Sequence, residues 1–500
     1  MNMGSTLLDA LAGQNPERPA LVAPGGPIVS YGSLQEQVVR LAIFLQRAGI
    51  ARHDRIGIVL PNGIDAVIAF LAAAAAGTAA PLNPAYKLEE FQYYLADTGA
   101  RVLIVPAGGA ELARQAVGPG TFLVESTIDA GGAVKFSTGI PLKAAGEIDA
   151  PGAEDVALVL HTSGTTSRPK RVPLTHANLL TSARNIARSY ALTSEDVSMC
   201  VMPLFHVHGL VGSVLASLLA GATVVVTQGF NALSFWPAVH AHRVTWYSAV
   251  PAIHQMLLAR SREGVRPVGS EGLRFIRSCS SALSPTLMAD LETRFGAPVL
   301  EAYGMTEASH QIATNPLPPA ERKAGTVGLG ANVEVGIMDK EGHLLSPGAQ
   351  GEVVIRGANV IAGYEDNPEA NATSFTNGWF RTGDEGIIDR QGYVKLIGRI
   401  KELIVRGGEK ISPLEVDQVL QLHPAVAEVA TFGVPHRIYG EEVAAAVELS
   451  TPATEEELLV FCRERLADFK CPKKIHIVER IPRTATGKIQ RKTMAQKLGS

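Results

Sequence analysis

Cysteine is scarce in this chain: Cys200, Cys279, Cys462 and Cys471 are the only four in 500 residues, and none stand in C-x-x-C spacing. That excludes a disulfide-stapled scaffold and a cysteine-held metal cluster, and predicts a reduced, cytoplasmic setting. Net charge is equally small, a formal −3. A nucleic-acid binder needs a clustered basic face. The short run Lys470, Lys473, Lys474, Arg480 and Arg483 reads instead as solvated surface or as a contact to a phosphorylated ligand, so no nucleic-acid partner is expected. Long apolar runs are missing too. The stretch from Ala66 to Ala76 is too short to span a bilayer and predicts a buried helix, so no membrane partner is expected either. Met1 to Gly4 lack the basic and apolar regions of a signal peptide. Lys497-Leu498-Gly499-Ser500 is not a peroxisomal address. There is no internal repeat, and no low-complexity tract beyond the alanine-rich stretch.

What is present is length and alternation. Five hundred residues exceed what one hydrophobic core normally serves. Strand patterns at 55–60, 101–105, 222–227, 244–248, 273–277 and 298–301 alternate with helical ones, which implies α/β architecture with largely parallel sheets. Short strands and turn signals dominate about 336–398. Beyond Arg399 a helix (413–422), two strands (427–433 and 441–449) and a helix (454–466) form a compact unit. The expected fold is therefore α/β. It has a large multi-layer N-terminal domain (1–399) with parallel-rich sheets and a β-rich subdomain, followed by a small mobile α+β C-terminal lid domain (400–500).

Between the strand pattern 156–160 and the next element lies His161-Thr162-Ser163-Gly164-Thr165-Thr166-Ser167-Arg168-Pro169-Lys170. Its backbone N–H groups, hydroxyls and lysine suit polyphosphate oxygens. It is not a Walker A motif, since Pro169 stands where the second glycine belongs, and alone it also fits an ordinary Ser/Thr-rich turn. Four further motifs follow in order: Glu301-Ala302-Tyr303-Gly304-Met305-Thr306-Glu307; Arg381-Thr382-Gly383-Asp384; Gly398-Arg399-Ile400-Lys401-Glu402, running on to Arg406-Gly407-Gly408; and Pro482-Arg483-Thr484-Ala485-Thr486-Gly487-Lys488-Ile489. Taken together, from about Thr6 to Lys492, the chain resembles the adenylate-forming superfamily of acyl-CoA synthetases, luciferases and peptide-synthetase adenylation domains.

The resemblance implies an ATP-dependent carboxylate–CoA ligase working in two half-reactions: acyl adenylate plus pyrophosphate, then thioester plus AMP. ATP, Mg²⁺ and coenzyme A are the expected cofactors and co-substrates, with a small carboxylate as the remaining partner and a monomer or homodimer as the working unit. Thr162, Ser163, Gly164, Thr165, Thr166 and Lys170 would hold the β- and γ-phosphates. Glu307, with Thr165, would hold the metal, and Thr306 the α-phosphate. Asp384 would accept the ribose hydroxyls, joined by Arg399. Ser280, Ser281, Ala282, Glu301, Ala302 and Tyr303 match the segments around adenine, with Tyr303 stacking on the ring. Lys488 would bring carboxylate and α-phosphate together. Lys401 would be the hinge, and rotation would bring Arg406, Gly407 and Gly408 to the thiol arm of CoA. Taken singly, Glu307 also reads as a first-turn helix carboxylate, Tyr303 as core, Lys488 as solvated and 406–408 as a plain hairpin. Ser167 and Arg171 depart from the superfamily's glycines. Arg171 has no assigned place.

A narrower similarity, carried by 160–167, 202–210, 273–283, 302–311 and 400–413, is to the oxalyl-CoA synthetases of plants and fungi. A two-carbon diacid needs a small pocket with polar donors, for which His208, Ser280, Met305 and His310 are candidates. Ala302 stands where malonyl-CoA synthetases are expected to place an arginine. Gly304 is expected to enlarge the pocket slightly. His206-x-His208 lacks a third metal ligand at suitable spacing. Two alternatives remain open: a ligase for short- or medium-chain or aromatic acids, and a non-catalytic nucleotide-binding protein.

Overall fold

The computed structural model describes residues 5–144, 149–162, 169–262, 264–484 and 488–499. Two large sheets carry the N-terminal part. The first has seven strands in the order Val134–Ser137, Phe122–Ile128, Ala100–Pro106, Arg55–Ile58, Thr78–Pro81, Val156–Thr162 and Lys170–Thr175. Its interior pairs are parallel and both edge pairs antiparallel. The second has nine strands. Six run parallel in the order Val299–Met305, Phe275–Ser278, Trp246–Ala249, Val197–Cys200, Thr223–Val226 and Pro19–Val22. Antiparallel strands His310–Thr314 and Leu329–Gly330 extend one edge, and Ile28–Ser30 the other. Short, β-branched strands such as Thr-Val-Val-Val at 223–226 are what a sheet buried on both faces requires. One apolar cluster joins both sheets to the helices between them. The alanine-rich run is the helix Ile64–Ala76, buried at every position except Asp65.

Loop ends are fixed by local chemistry. Ser284 caps the helix Pro285–Phe295 by accepting from Leu287 N–H, Pro285 sits in its first turn, and Gly296 closes it in the left-handed conformation. That helix fixes the exit of the preceding loop, residues 279–283. The phosphate-loop flanks differ from the sequence expectation. The first strand runs on to Thr162, and Lys170 begins an antiparallel return strand directly opposite it. A second difference is the π-helix His208–Leu215, which no periodicity announced. Such widened turns are rare and concentrate at functional sites.

Residues 334–399 form an antiparallel five-stranded sheet, Glu334–Met338, Gln350–Arg356, Trp379–Ile388, Phe375–Thr376 and Val394–Arg399, the expected β-rich region. The C-terminal part has its own five-stranded sheet, built around Val426–His436 and Gly440–Leu449 and covered by helices Pro413–Leu420, Glu455–Arg463 and Arg491–Leu498. It also has its own apolar cluster. The basic run noted in the sequence is surface: Lys470 pairs with Glu415, Lys474 with Glu455 and Arg483 with Glu428. Among the described residues no helix is long and apolar enough to cross a membrane.

Candidate active site

Asp384 and Arg399 face each other across adjacent strands. Arg399 Nε lies 2.7 Å from Asp384 Oδ1, and the Tyr303 hydroxyl donates to Oδ2. Asp384 is buried; such a carboxylate is tolerable because both oxygens have donors. Each oxygen keeps an acceptor site for a further hydroxyl. Tyr303 sits in the strand Val299–Met305, where burial first and Asp384 second push its phenol well above its ordinary value. Glu301, in the same strand, accepts from Leu283 N–H at 2.9 Å and so ties down the loop bearing Ser280, Ser281 and Ala282. Burial raises its carboxyl to about 8.

Glu307 lies in a one-turn 3₁₀ helix, Thr306–Ala308, directly after that strand. Both Thr306 and Glu307 are buried. The Tyr364 hydroxyl donates to Glu307 Oε1 at 2.8 Å, and Lys170 Nζ sits 4.3 Å from the centroid of the Tyr364 ring. Burial lowers the Lys170 ammonium; Glu307 opposes that effect and Lys401 adds to it. Lys170, Glu307 and the interdomain Lys401 therefore share one electrostatic neighbourhood. Ser163, Gly164, Thr165 and Thr166 fall outside the described residues. Among those that are described, no group of three His, Cys, Asp or Glu side chains is set to hold a metal. A single buried carboxylate with unused acceptor capacity fits a magnesium ion that takes its other ligands from phosphates and water.

Lys488 arrives from the C-terminal part. Its backbone N–H donates to Thr484 Oγ1 at 3.1 Å. Three residues on, buried Arg491 anchors the segment by donating to Asp417 Oδ2 at 2.6 Å and to Thr431 O at 2.8 Å. The residue as a whole is exposed, yet its ammonium is densely surrounded: crowding lowers it, Arg399 lowers it further, and Asp384 and Glu307 raise it. Exposed stem and crowded head together describe a lysine reaching into a cleft. Its field also reaches His206, whose imidazole burial holds at about 4.

The acid-side candidates converge on a different centre. His208 begins the π-helix; its Nδ1 is 3.0 Å from Ser280 Oγ and its Nε2 2.7 Å from Ser248 Oγ. Its ring stacks on His310 at 5.2 Å. Ser280 and His310 both hold positive φ, +74° and +107°. For non-glycine residues that is strain held by surrounding structure, a frequent mark of function. Met305 pairs with His310. Gly304 does not enlarge the pocket as expected. A Cβ there would lie 1.9 Å from His310 O, so its bare backbone lets the His310 main chain approach. Gly212 serves similarly, since a Cβ would meet His310 Nε2 at 2.4 Å.

Sequence reasoning overlooked the side chain at the centre, Arg277. It is fully buried in the strand Phe275–Ser278. It donates to Tyr190 Oη at 2.8 Å and to Ser248 Oγ, His310 Nε2 and Gln311 Oε1, each at 3.0 Å. Among the described residues none of these partners is a carboxylate. The available signal was an arginine at a central position of a short strand, Phe275-Ile276-Arg277-Ser278, in a parallel sheet.

Arg406 does not stand free: it pairs with Glu442 at 2.5 Å and lies over the Tyr439 ring, beside a hairpin turn at Gly407 and Gly408. Arg171 turns out to clamp rather than to cradle. It donates to Asp97 O and pairs with Asp366, with Glu365 at 3.6 Å. A cavity of about 700 Å³, lined partly by Phe205, Gln228, Phe230, Val250, Met256 and Thr484, opens between the two parts of the chain.

A family model described as AMP-binding enzyme matches residues 8–365, and one for the AMP-binding enzyme C-terminal domain matches 415–488. The chain belongs to the AMP-binding enzyme family. It is 46% identical to the oxalate–CoA ligase of Arabidopsis thaliana, over 98% of each chain. It is 45% identical to that of Saccharomyces cerevisiae, over 89% of this chain and 87% of the other. Among solved structures it is similar to ATP-bound MatB from Rhodopseudomonas palustris, with TM-score 0.89 and 29% identity over 100% of this chain and 99% of that one. Against the apo form of the same family member the TM-score is 0.79.

Proposed function

We propose that this chain is an ATP-dependent, AMP-forming carboxylate–CoA ligase whose acid is oxalate. The observation that carries the reading is buried Asp384 held between Arg399 and Tyr303 close to buried Glu307, with Lys488 in the field of all three charged groups. Joining a carboxylate to the α-phosphate brings two anions together, and cations fixed in advance at that point offset their repulsion. Lys488 would bridge the two, Asp384 would take the ribose hydroxyls on its unused acceptor sites, and Tyr303 would flank the adenine. Lys170, Thr162 and the 163–166 loop would hold the outer phosphates, with Thr306 on the α-phosphate. Glu307 would hold magnesium, which when bound neutralises phosphate charge.

The lid position supports an adenylate-forming state, since the likeness to the ATP-bound structure exceeds that to the apo one. The second half-reaction needs Lys488 withdrawn and the thiol admitted. Rotation about Lys401, with the unit boundary at 399/400, would carry the 406–408 hairpin inward, and the cavity between the two parts offers space for a thiol arm. The four cysteines are free, in keeping with a cytoplasmic enzyme. Oxalate is supported by the two oxalate–CoA ligase relatives and by the polar His208–Ser280–His310 cluster.

AMP release with ATP, Mg²⁺ and CoA, measured across oxalate, malonate, acetate, hexanoate and benzoate, tests the reading. Sharp preference for oxalate is expected. Preference for hexanoate or benzoate would keep the ligase and overturn the acid; no AMP release with any acid would overturn the ligase.

A further inference from the structure

Arg277 is a permanent cation, fully buried and, among the described residues, without a carboxylate in hydrogen-bond contact. A buried charge of this kind is costly unless something balances it. Its hydrogen-bond acceptors are two hydroxyls, an amide and an imidazole, with the Cys279 side chain as a further partner; none is a carboxylate. It can only donate, so these contacts also dictate where neighbouring protons sit. His310 Nε2 must accept from Arg277, which places the His310 proton on Nδ1, the nitrogen nearest Gly304. Ser248 Oγ accepts from Arg277, and His208 Nε2 is its remaining partner among the described residues. The Ser248 proton therefore goes to His208 Nε2. His208 then carries its own proton on Nδ1 and donates to Ser280 Oγ. That leaves the Ser280 O–H without a demand from the network and free to donate outward.

We propose that Arg277 is the positioning residue for a doubly charged acid. Its charge is the counter-charge for the substrate's non-reacting carboxylate, and its hydrogen bonds orient Ser280 O–H and His310 Nδ1–H as the donors that touch it. This rests on the carboxylate–CoA ligase reading above and deepens it, by locating the preference for a dianion in one residue that itself stays out of contact. Burial, then Arg277, holds both histidines well below their ordinary values, in keeping with neutral rings whose tautomers the arginine selects. Ser280 and His310 both hold strained, positive-φ backbone, which accords with a functional position.

The experiment compares oxalate with oxamate, which keeps the reacting carboxylate and replaces the other by a neutral amide of nearly the same size. Pyrophosphate exchange into ATP is measured with each acid for the wild type, Arg277→Met and Arg277→Lys. The expected result is a fall in the oxalate-to-oxamate ratio of kcat/KM of about 30-fold or more in Arg277→Met. Arg277→Lys, which keeps the charge and loses the fork, should fall in between, and the KM for ATP should hold in both. A merely structural arginine would lower both acids together and leave the ratio unchanged. That outcome, in whichever variant folds, overturns the positioning role while the ligase reading stands. Wild-type protein that exchanges with acetate or hexanoate but not with oxalate would overturn the oxalate reading and this inference together.

Discussion

The two ends of the cleft handle charge in opposite ways. At the nucleotide end every buried carboxylate has a donor or a cation waiting: Asp384 has Arg399 and Tyr303, Glu307 has Tyr364 with Lys170 nearby, and Glu301 has a backbone N–H. At the acid end one fully buried arginine has, among the described residues, no carboxylate in hydrogen-bond contact. A site for ATP must accept a large anion whose charge is partly carried by its own metal, so balanced pairs that can share a partner suffice. A site for a small diacid has no such help. An unbalanced cation there makes the substrate itself complete the charge balance.

The comparison is broken or sharpened most strongly through Lys488. Lys488→Ala is expected to slow adenylate formation by about a hundred- to thousandfold while leaving thiolysis of a supplied acyl adenylate intact; equal loss of both half-reactions would sink the alternating lid. Glu307→Gln should cost about a hundredfold in the first half-reaction and shift the magnesium titration to higher concentration, with acid selectivity unchanged. Asp384→Asn should raise the KM for ATP about tenfold and leave the KM for acid alone; a matching rise in both would mean the two ends are not independent.

Stability against pH gives a smaller effect whose sign differs between the ends. His208 and His310 are depressed by burial and then by Arg277. The native state refuses protons that the unfolded chain accepts near 6.5. Their contribution is therefore intact above that value and is lost as pH falls below it, by about 1.4 kcal/mol per pH unit for each. Glu301 is raised to about 8 from 4.5. The native state keeps a proton that the unfolded chain releases, so its contribution is intact below 4.5 and lost as pH rises towards 8. Calorimetry of Glu301→Gln should show Tm closest to wild type near pH 5 and above it near pH 8; a constant offset would contradict the shift. The smallest effect is Arg171→Ala. As a half-buried clamp on Asp97, Glu365 and Asp366 it should cost about 1–2 kcal/mol in denaturant melts and leave both half-reactions unchanged.

How far each end could be read beforehand follows from how it is built. Lys170, Asp384 and Arg399 lie in strands and Glu307 in a one-turn helix, but each, like Lys488, belongs to a short contiguous motif, so the motifs point to them. The alanine-rich helix and the alternation of strands were likewise visible, because periodicity and burial are local properties. The acid end is assembled from strands at 246–249, 275–278 and 310–314 and from the π-helix at 208–215, elements far apart in sequence. In the sequence His208, Ser280 and His310 stand singly, Arg277 reads as one residue in a strand, and nothing local shows that the space beside Gly304 is filled by His310. Arg171 was left unplaced for the same reason: its partners Asp97, Glu365 and Asp366 are distant in the chain.

The sequence by itself determined the layered α/β architecture, the family and the charged groups of the nucleotide end, since each is written in local pattern. Only the tertiary structure decided that Asp384 meets Arg399 and Tyr303, that Arg277 has no carboxylate in hydrogen-bond contact among the described residues, and that His208, Ser280 and His310 gather beside it. Those facts depend on what a side chain meets across strands, and burial, which makes an unpaired charge matter, exists only once the chain has folded.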